Sequence, residues 1–185
     1  MGKDRRWYLA HFTIMPPEPT MKTMAADGIG IAQQPNFSYS LVQRYIETLD
    51  TWRVDHNNSI ATPLKEGIKV TFGSDNIPVG PMVGLYGAIT RKGADGVVHG
   101  ASEGVSRPEA IRLYTEAGPY LAWDEHKKGT LEPGKFADMV VLDHDLLTAP
   151  EADILKTKVL MTFVGGKLVY DRSKDPEGAT DPKIQ

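Results

Sequence analysis

The sequence predicts an α/β fold made of parallel βα units followed by a shorter β-rich region. Two patterns carry that expectation. Up to Phe72, strand-like and helix-like stretches alternate, which is the order parallel sheets require. Beyond Gly129 short apolar runs are separated by turn residues instead.

Trp7 to Ile14 is rich in aromatic and aliphatic residues and reads as the first strand, ended by Pro16-Pro17. Glu18 to Ala26 follows as a short helix that closes at Asp27-Gly28, and Ile29 to Gln33 is the second strand. Leu41, Val42, Tyr45, Ile46 and Leu49 recur at helical spacing. Ile60 to Glu66 is a further helix, stopped by Gly67, and Ile68 to Phe72 is an apolar strand. A helix over Pro81 to Arg91 comes next, in spite of Gly84 and Gly87. Gly93 to Gly104 is glycine-rich and reads as a flexible excursion. Ser106 is placed to cap another helix, with Glu109 three residues on as its capping-box partner. That helix runs to about Ala117, and a second turn leads to Trp123. Met139 to Leu142 is a strand, and Lys158 to Val164 pairs with Lys167 to Tyr170 around the Gly165-Gly166 turn. A soft boundary between Asp124 and Gly129 gives units 1–124 and 125–170. The polar tail 171–185 is expected to be frayed or draped over the surface.

Size and composition exclude several classes. With 185 residues and 41% hydrophobic content, the chain can bury a core as one domain or two small ones. A net charge of −3 gives no electrostatic case for nucleic acid or an anionic membrane. The lack of cysteine excludes disulfides, thiolate metal sites and cysteine nucleophiles, and fits a reducing compartment. No apolar run approaches the ~20 residues of a membrane span. The charged start, Met1 to Arg6, lacks the apolar stretch of a secretory signal. A cytoplasmic globular chain is expected.

Few residues are placed to do chemistry. Phe72-Gly73-Ser74-Asp75 ends an apolar strand on a carboxylate, and in parallel α/β architectures that end of the strand carries the chemistry. The alternative is that Asp75 caps a turn, since Asp beside Asn76 and ahead of Pro78 is common turn chemistry. His11 stands near the end of the first strand, where it is either a structural histidine or a ligand. Gln33-Gln34-Pro35 follows the second strand on the same side. His56 lies in a polar loop, and His99, His126 and His144 read as structural or solvent-facing. No nucleophile elbow or phosphate loop is present.

Five groups of residues then occur in a telling order. They are Gly73-Ser74-Asp75 with Pro78, Ala88-Ile89-Thr90-Arg91, and Glu109-Ala110 with Tyr114-Thr115. The long stretch Gly129 to Asp143 follows, and Thr162 with Val164 to Tyr170 completes the series. From Trp7 to Tyr170 the chain resembles the C-terminal portion of the metal-dependent amidohydrolase superfamily, in the family-3 branch that includes N-substituted formamide deformylases. The resemblance implies the last three βα units of a TIM-type (β/α) barrel joined to part of a small β-sandwich. It implies hydrolysis of non-peptide carbon–nitrogen bonds in a small amide-type substrate, with a divalent metal, zinc first among them, in the intact enzyme. Counting back from Asp75 as the tip of the eighth barrel strand, the Ile29 strand becomes the seventh and the Trp7 strand the sixth. By that mapping Asp75 is a metal ligand and general base, His11 is a metal ligand, and Gln34 is a substrate contact.

The family's His-Xaa-His pair has no counterpart in these residues, nor do the ligands of its fourth and fifth strands. The chain is therefore expected to be incomplete for catalysis by itself. The alternative is a non-catalytic binding or assembly module with the same fold. Three barrel strands leave open sheet edges, with Val70, Phe72, Ile29 and Ile31 uncovered. A homo-oligomer, or a complex with a separate N-terminal half, is expected on that ground.

Overall fold

The computed structural model describes residues 5–175. Three short parallel strands organise the first half: β1 (Tyr8–Ala10), β2 (Gly30–Gln33) and β3 (Val70–Phe72), side by side in that order. Tyr8 is in register with Gly30, and Gln33 with Phe72, so β2 is the central strand. Parallel neighbours need crossovers, and helices supply them. Helix α1 (Glu18–Asp27) returns the chain from β1 to β2 and buries Met21 and Met24. It ends at Gly28, whose φ of 70° suits glycine and lets its N–H reach the carbonyl of Ala25. Four short helices connect β2 to β3: α2 (Phe37–Ser40), α3 (Val42–Thr48), α4 (Thr51–Asp55) and α5 (Ala61–Lys65). After β3 come α6 (Pro81–Thr90), α7 (Arg107–Tyr114) and α8 (Ala117–Leu121). A separate antiparallel sheet follows, made of β4 (Met139–Leu142), β5 (Val159–Val164) and β6 (Lys167–Asp171), with α9 (Glu151–Ile154) between its first two strands. Gly165 and Gly166 both take positive φ, as a tight two-residue hairpin turn demands.

Several expectations need correction. The first strand does not run to Ile14. At His11 φ turns to 56° and Thr13 N–H bonds back to the His11 carbonyl at 2.6 Å, so the ladder stops. Helices α2, α4 and α9 are single turns, too short for a 3.6-residue period to register. The capping box at α7 is half made. Ser106 Oγ accepts from Glu109 N–H at 3.4 Å, but the Glu109 carboxylate turns to Arg112, which offers charge-assisted bonds of 2.7 and 2.9 Å. The glycine-rich stretch from Gly93 is an ordered hairpin in its first part. Gly93 N–H bonds Val97 O at 2.9 Å, and Lys92 bridges Val98. Of the polar tail, Arg172–Lys174 forms a 3₁₀ turn, and the part beyond 175 lies outside the described residues.

The core explains the largest difference. Ile31, Val70 and Phe72 are buried rather than uncovered, and Ile29 packs against the same cluster. The reason is helical cover: α7 and α8 lie against β3, and Tyr114 meets Phe72 edge-on at 5.1 Å. Ile154 of α9 is fully buried in this cluster, so the β-rich region contributes to the main core. The uncovered apolar surface is elsewhere. Tyr8 and Leu9 on the edge strand β1, and Trp7 just before it, are about half exposed, as are Val140, Val164 and Val169 of the small sheet. No helix among the described residues is long and apolar enough to cross a membrane.

Arg6 moors the start of β1. Its guanidinium lies 4.2 Å from the Tyr120 ring centroid and 3.8 Å from that of Trp123, and it binds both carboxylate oxygens of Glu125. Those hydrogen bonds from Arg6 hold the Glu125 carboxyl down at about 2.

Close packing of α6 on α7 yields a test. A Cβ on Gly84 would stand 1.8 Å from Tyr114 Oη, a buried hydroxyl without a partner among the described residues. Gly84→Ala is expected to cost about 1–3 kcal/mol through overpacking. Tyr114→Phe in the same chain should restore part of it, because it removes both the clashing atom and an unsatisfied polar group. Urea denaturation of the single and double variants checks this. Full additivity of the two substitutions would disprove the contact.

Candidate active site

Parallel pairing brings the C-terminal ends of β1 and β3 to one side of the sheet. Immediately past those ends stand His11 and Asp75. Their side chains meet across the end of β2, with His11 Nε2 3.7 Å from Asp75 Oδ2. That distance exceeds a direct hydrogen bond and lies within ion-pair reach. Both side chains are open to solvent, at 50% and 38% exposure. Both residues sit in the left-handed region, with φ of 56° and 52°. Such a backbone strains a residue with a Cβ by on the order of 1 kcal/mol, and strain of this kind gathers at functional sites.

Asp75 does not behave as a turn cap. Among the described residues its carboxylate partner is His11, and it accepts no backbone N–H. Ser74 does the capping instead, its Oγ accepting from Gly80 N–H at 3.0 Å.

The segment after β2 surrounds this pair. Gln33 is fully buried, and its Nε2 donates to the carbonyls of Phe12 (3.0 Å) and Ser59 (3.2 Å). Gln34 Oε1 accepts from His11 N–H at 3.1 Å, and its Nε2 donates to Ala32 O at 3.1 Å. The amide expected to meet substrate is thus engaged with backbone at both ends. Asn36, also fully buried, donates to Ser74 O at 2.7 Å and to Ile77 O at 2.6 Å. The Phe37 ring lies parallel to the His11 imidazole, with centroids 5.7 Å apart and planes at 4°. Asn36 and Phe37 did not stand out in the sequence. The signal was a run of amides directly after a buried strand, each of which needs partners once buried.

The other histidines lie apart from the pair. His99 meets Asp95 at 2.8 Å, His144 meets Asp143 at 2.8 Å, and His56 stacks on Trp52 with centroids 4.4 Å apart. His126 is exposed. No group of three or more His, Cys, Asp or Glu side chains among the described residues is arranged to hold a metal ion.

The sequence profile of the amidohydrolase family matches residues 1–170. The chain belongs to the amidohydrolase family. Among its relatives, YtcJ of Bacillus subtilis (strain 168) is 30% identical over 150 residues, which covers 78% of this chain and 28% of that protein. The N-substituted formamide deformylase of Arthrobacter pascens is 27% identical over 158 residues, covering 81% of this chain and 28% of its own length. This amidohydrolase chain therefore spans 28% of the length of those relatives. Among solved structures, an uncharacterized metal-dependent hydrolase from Pyrococcus horikoshii OT3 superposes with a TM-score of 0.67 at 20% identity, over 78% of this chain and 30% of that one. Atrazine chlorohydrolase TrzN from Arthrobacter aurescens TC1, complexed with zinc, superposes with a TM-score of 0.59 at 19% identity, over 91% of this chain and 37% of that one. At those identities the likeness shows the shared amidohydrolase fold.

A divalent metal, which members of the family use, would find two suitable donors here. An imidazole nitrogen and a carboxylate oxygen 3.7 Å apart on one side of the sheet are the right chemistry for part of such a site. A zinc site takes three or four protein ligands, so the pair fits as part of a set.

The strained backbone at Asp75 separates a functional carboxylate from a structural one. Asp75→Gly is expected to leave stability within about 0.5 kcal/mol of the parent, since glycine accepts φ near 52°. Asp75→Val is expected to cost about 1–2 kcal/mol. Urea melts decide it: a loss of about 1 kcal/mol or more in Asp75→Gly would make the carboxylate a cap after all.

Proposed function

We propose that this chain carries the C-terminal part of a metal-dependent amidohydrolase that acts on non-peptide carbon–nitrogen bonds, and that it is incomplete for catalysis by itself. The observation that carries the reading is the convergence of His11 and Asp75 at the same end of a parallel sheet, in a chain of this family. The formamide deformylase relative supports an amide-type substrate. In the architecture proposed here, β1, β2 and β3 are the last three strands of a (β/α) barrel, and β4 to β6 belong to a small β-sandwich.

The roles follow from the donors. His11 and Asp75 would hold a divalent ion, zinc by preference. Such an ion supplies Lewis-acid polarisation of the substrate carbonyl. Asp75 is an exposed carboxylate with a free oxygen edge, and it takes the proton of the attacking water as general base. His11 faces the same space and steers either the metal or the developing oxyanion. Gln34 acts on substrate through its hold on the His11 backbone. The missing element is the rest of the donor set, since the 185 residues contain no His-Xaa-His pair.

Activity tests the proposal directly. The purified chain, supplied with zinc, is expected to hydrolyse N-substituted formamides, cyclic imides and simple amides no faster than buffer. Zinc-dependent turnover that Asp75→Asn abolishes would show the chain to be complete.

We also propose that the chain self-associates or binds a separate N-terminal half through the open edge of β1, where Trp7, Tyr8 and Leu9 are exposed. Light scattering after size exclusion should give a dimer or larger species at tens of micromolar, and Leu9→Lys should shift it toward monomer. A monomeric parent chain contradicts self-association.

A further inference from the structure

We infer that Gln34, Asn36 and Phe37, which follow the central strand, are positioning residues that fix the separation between His11 and Asp75. The inference rests on the proposal that these two form the reacting pair. The strands that carry the pair never touch, because β2 lies between them. Ladder-type bonds extend only to His11 N–H, on Ala32 O at 3.2 Å, and to Gly73 N–H, on Gln33 O at 2.9 Å. From there outward, side chains from one short stretch hold both partners.

Each of the three does a different part. Gln34 fixes the His11 N–H with Oε1 while its own Nε2 is fixed on Ala32 O, which ties the left-handed turn to the strand beside it. Asn36 uses both amide hydrogens to bracket Asp75, one on the carbonyl just before it and one on the carbonyl two residues after it. Phe37 lies parallel to the imidazole, 5.7 Å away between centroids, and sets the ring plane, so that Nε2 is the atom presented to Asp75. A single rigid stretch therefore sets the backbone of one partner, the backbone of the other, and a ring orientation. Reactive groups must be held within ~0.5 Å of working geometry, and supporting residues around a metal commonly change its affinity about 10–100-fold.

The competing view is that these bonds merely satisfy buried groups and that the pair would stand where it does without them. Crystal structures of the metal-free 185-residue chain and its variants separate the two. Asn36→Leu keeps the volume and removes both donors. The expected result is a 74–77 turn that swings away, with the pair moved apart by more than about 1 Å, beyond the ~0.5 Å tolerance. Where Asn36→Leu fails to fold, Gln34→Met and Phe37→Leu replace it, since both leave the Ser74 and Ile77 carbonyls bonded. In these the His11 ring should shift or turn. Folded variants in which the pair is unmoved overturn the inference.

Co²⁺ alone then serves as a solution probe, followed by paramagnetic shifts of the His11 ring protons. Affinity at His11 is expected to fall about tenfold in each variant of the parent chain. With Asp75→Asn already present the same substitutions should change it by less than about twofold, because the geometry they protect is gone. Equal losses in both backgrounds would mean a general structural effect and overturn the inference. Failure of Co²⁺ to reach His11 in the parent chain counts against the metal reading instead, and the metal-free separations then decide the positioning roles.

Discussion

Both edges of β2 are paired, and the rest of the structure depends on that fact. A strand with neighbours on both sides can pair its backbone along both edges, and the helices packed on the sheet then bury Ile31 fully. The same central placement gives the residues after it access to both flanking strands. Gln34 reaches the end of β1 and Asn36 reaches the loop beyond β3, over distances that short amide side chains can span. An edge strand could have reached only one of them. Sheet order therefore determines which residues can meet, and hydrogen bonds from the middle strand determine how.

Around this frame the interior holds buried polar and charged residues, and the charges are accommodated by hydrogen bonding. Arg91 is buried, yet its guanidinium donates to the carbonyls of Asn57, Asn58 and His99. Burial pushes it down to about 10, against the opposing pull of Glu103 and Asp55, so it stays charged at neutral pH. Glu103 is equally buried and accepts from the N–H groups of Ile60 and Thr62 and from the Thr62 hydroxyl. The two ions thus stitch the approach to α5 to the far end of α6. Removing either partner would strand buried polar groups, which costs more than the net worth of the bonds.

Much of the frame was legible in the sequence because it rests on periodicity and turn chemistry. The three parallel strands, the helix stop at Gly28, the Ser106 cap and the Gly165-Gly166 hairpin each follow from local residue choice. His11 and Asp75 were readable as residues, at strand ends and in a known order of words. What stayed hidden is what depends on distant partners. Nothing local tells that the Asn36 amide will meet Ser74, 38 positions away, or that Arg91 will reach inward to Asn57. Nor does local pattern show that α7 and α8 will cover β3, which is why its apolar residues looked uncovered.

The loop that leaves α6 has the composition of a mobile one, with Gly93, Gly96, Gly100 and Gly104 in twelve positions. Its physics is different. Arg91 and His99 bond each other reciprocally, Arg91 N–ε to the His99 carbonyl and His99 N–H to the Arg91 carbonyl, and Gly100 N–H is held by Asp55. Opening the loop would require withdrawing a buried guanidinium from three carbonyls. The amide hydrogens of His99 and Gly100 should therefore exchange with solvent on the timescale of the core rather than of a surface loop. At Gly100 the backbone must pass close, since a Cβ there would lie 1.7 Å from the Asp55 carbonyl oxygen, whereas Gly96 has open space around it and serves a turn with φ of 78°. Glycine content in this loop thus records a close approach at one position and a turn at another, and the loop between them is tied down by the buried Arg91.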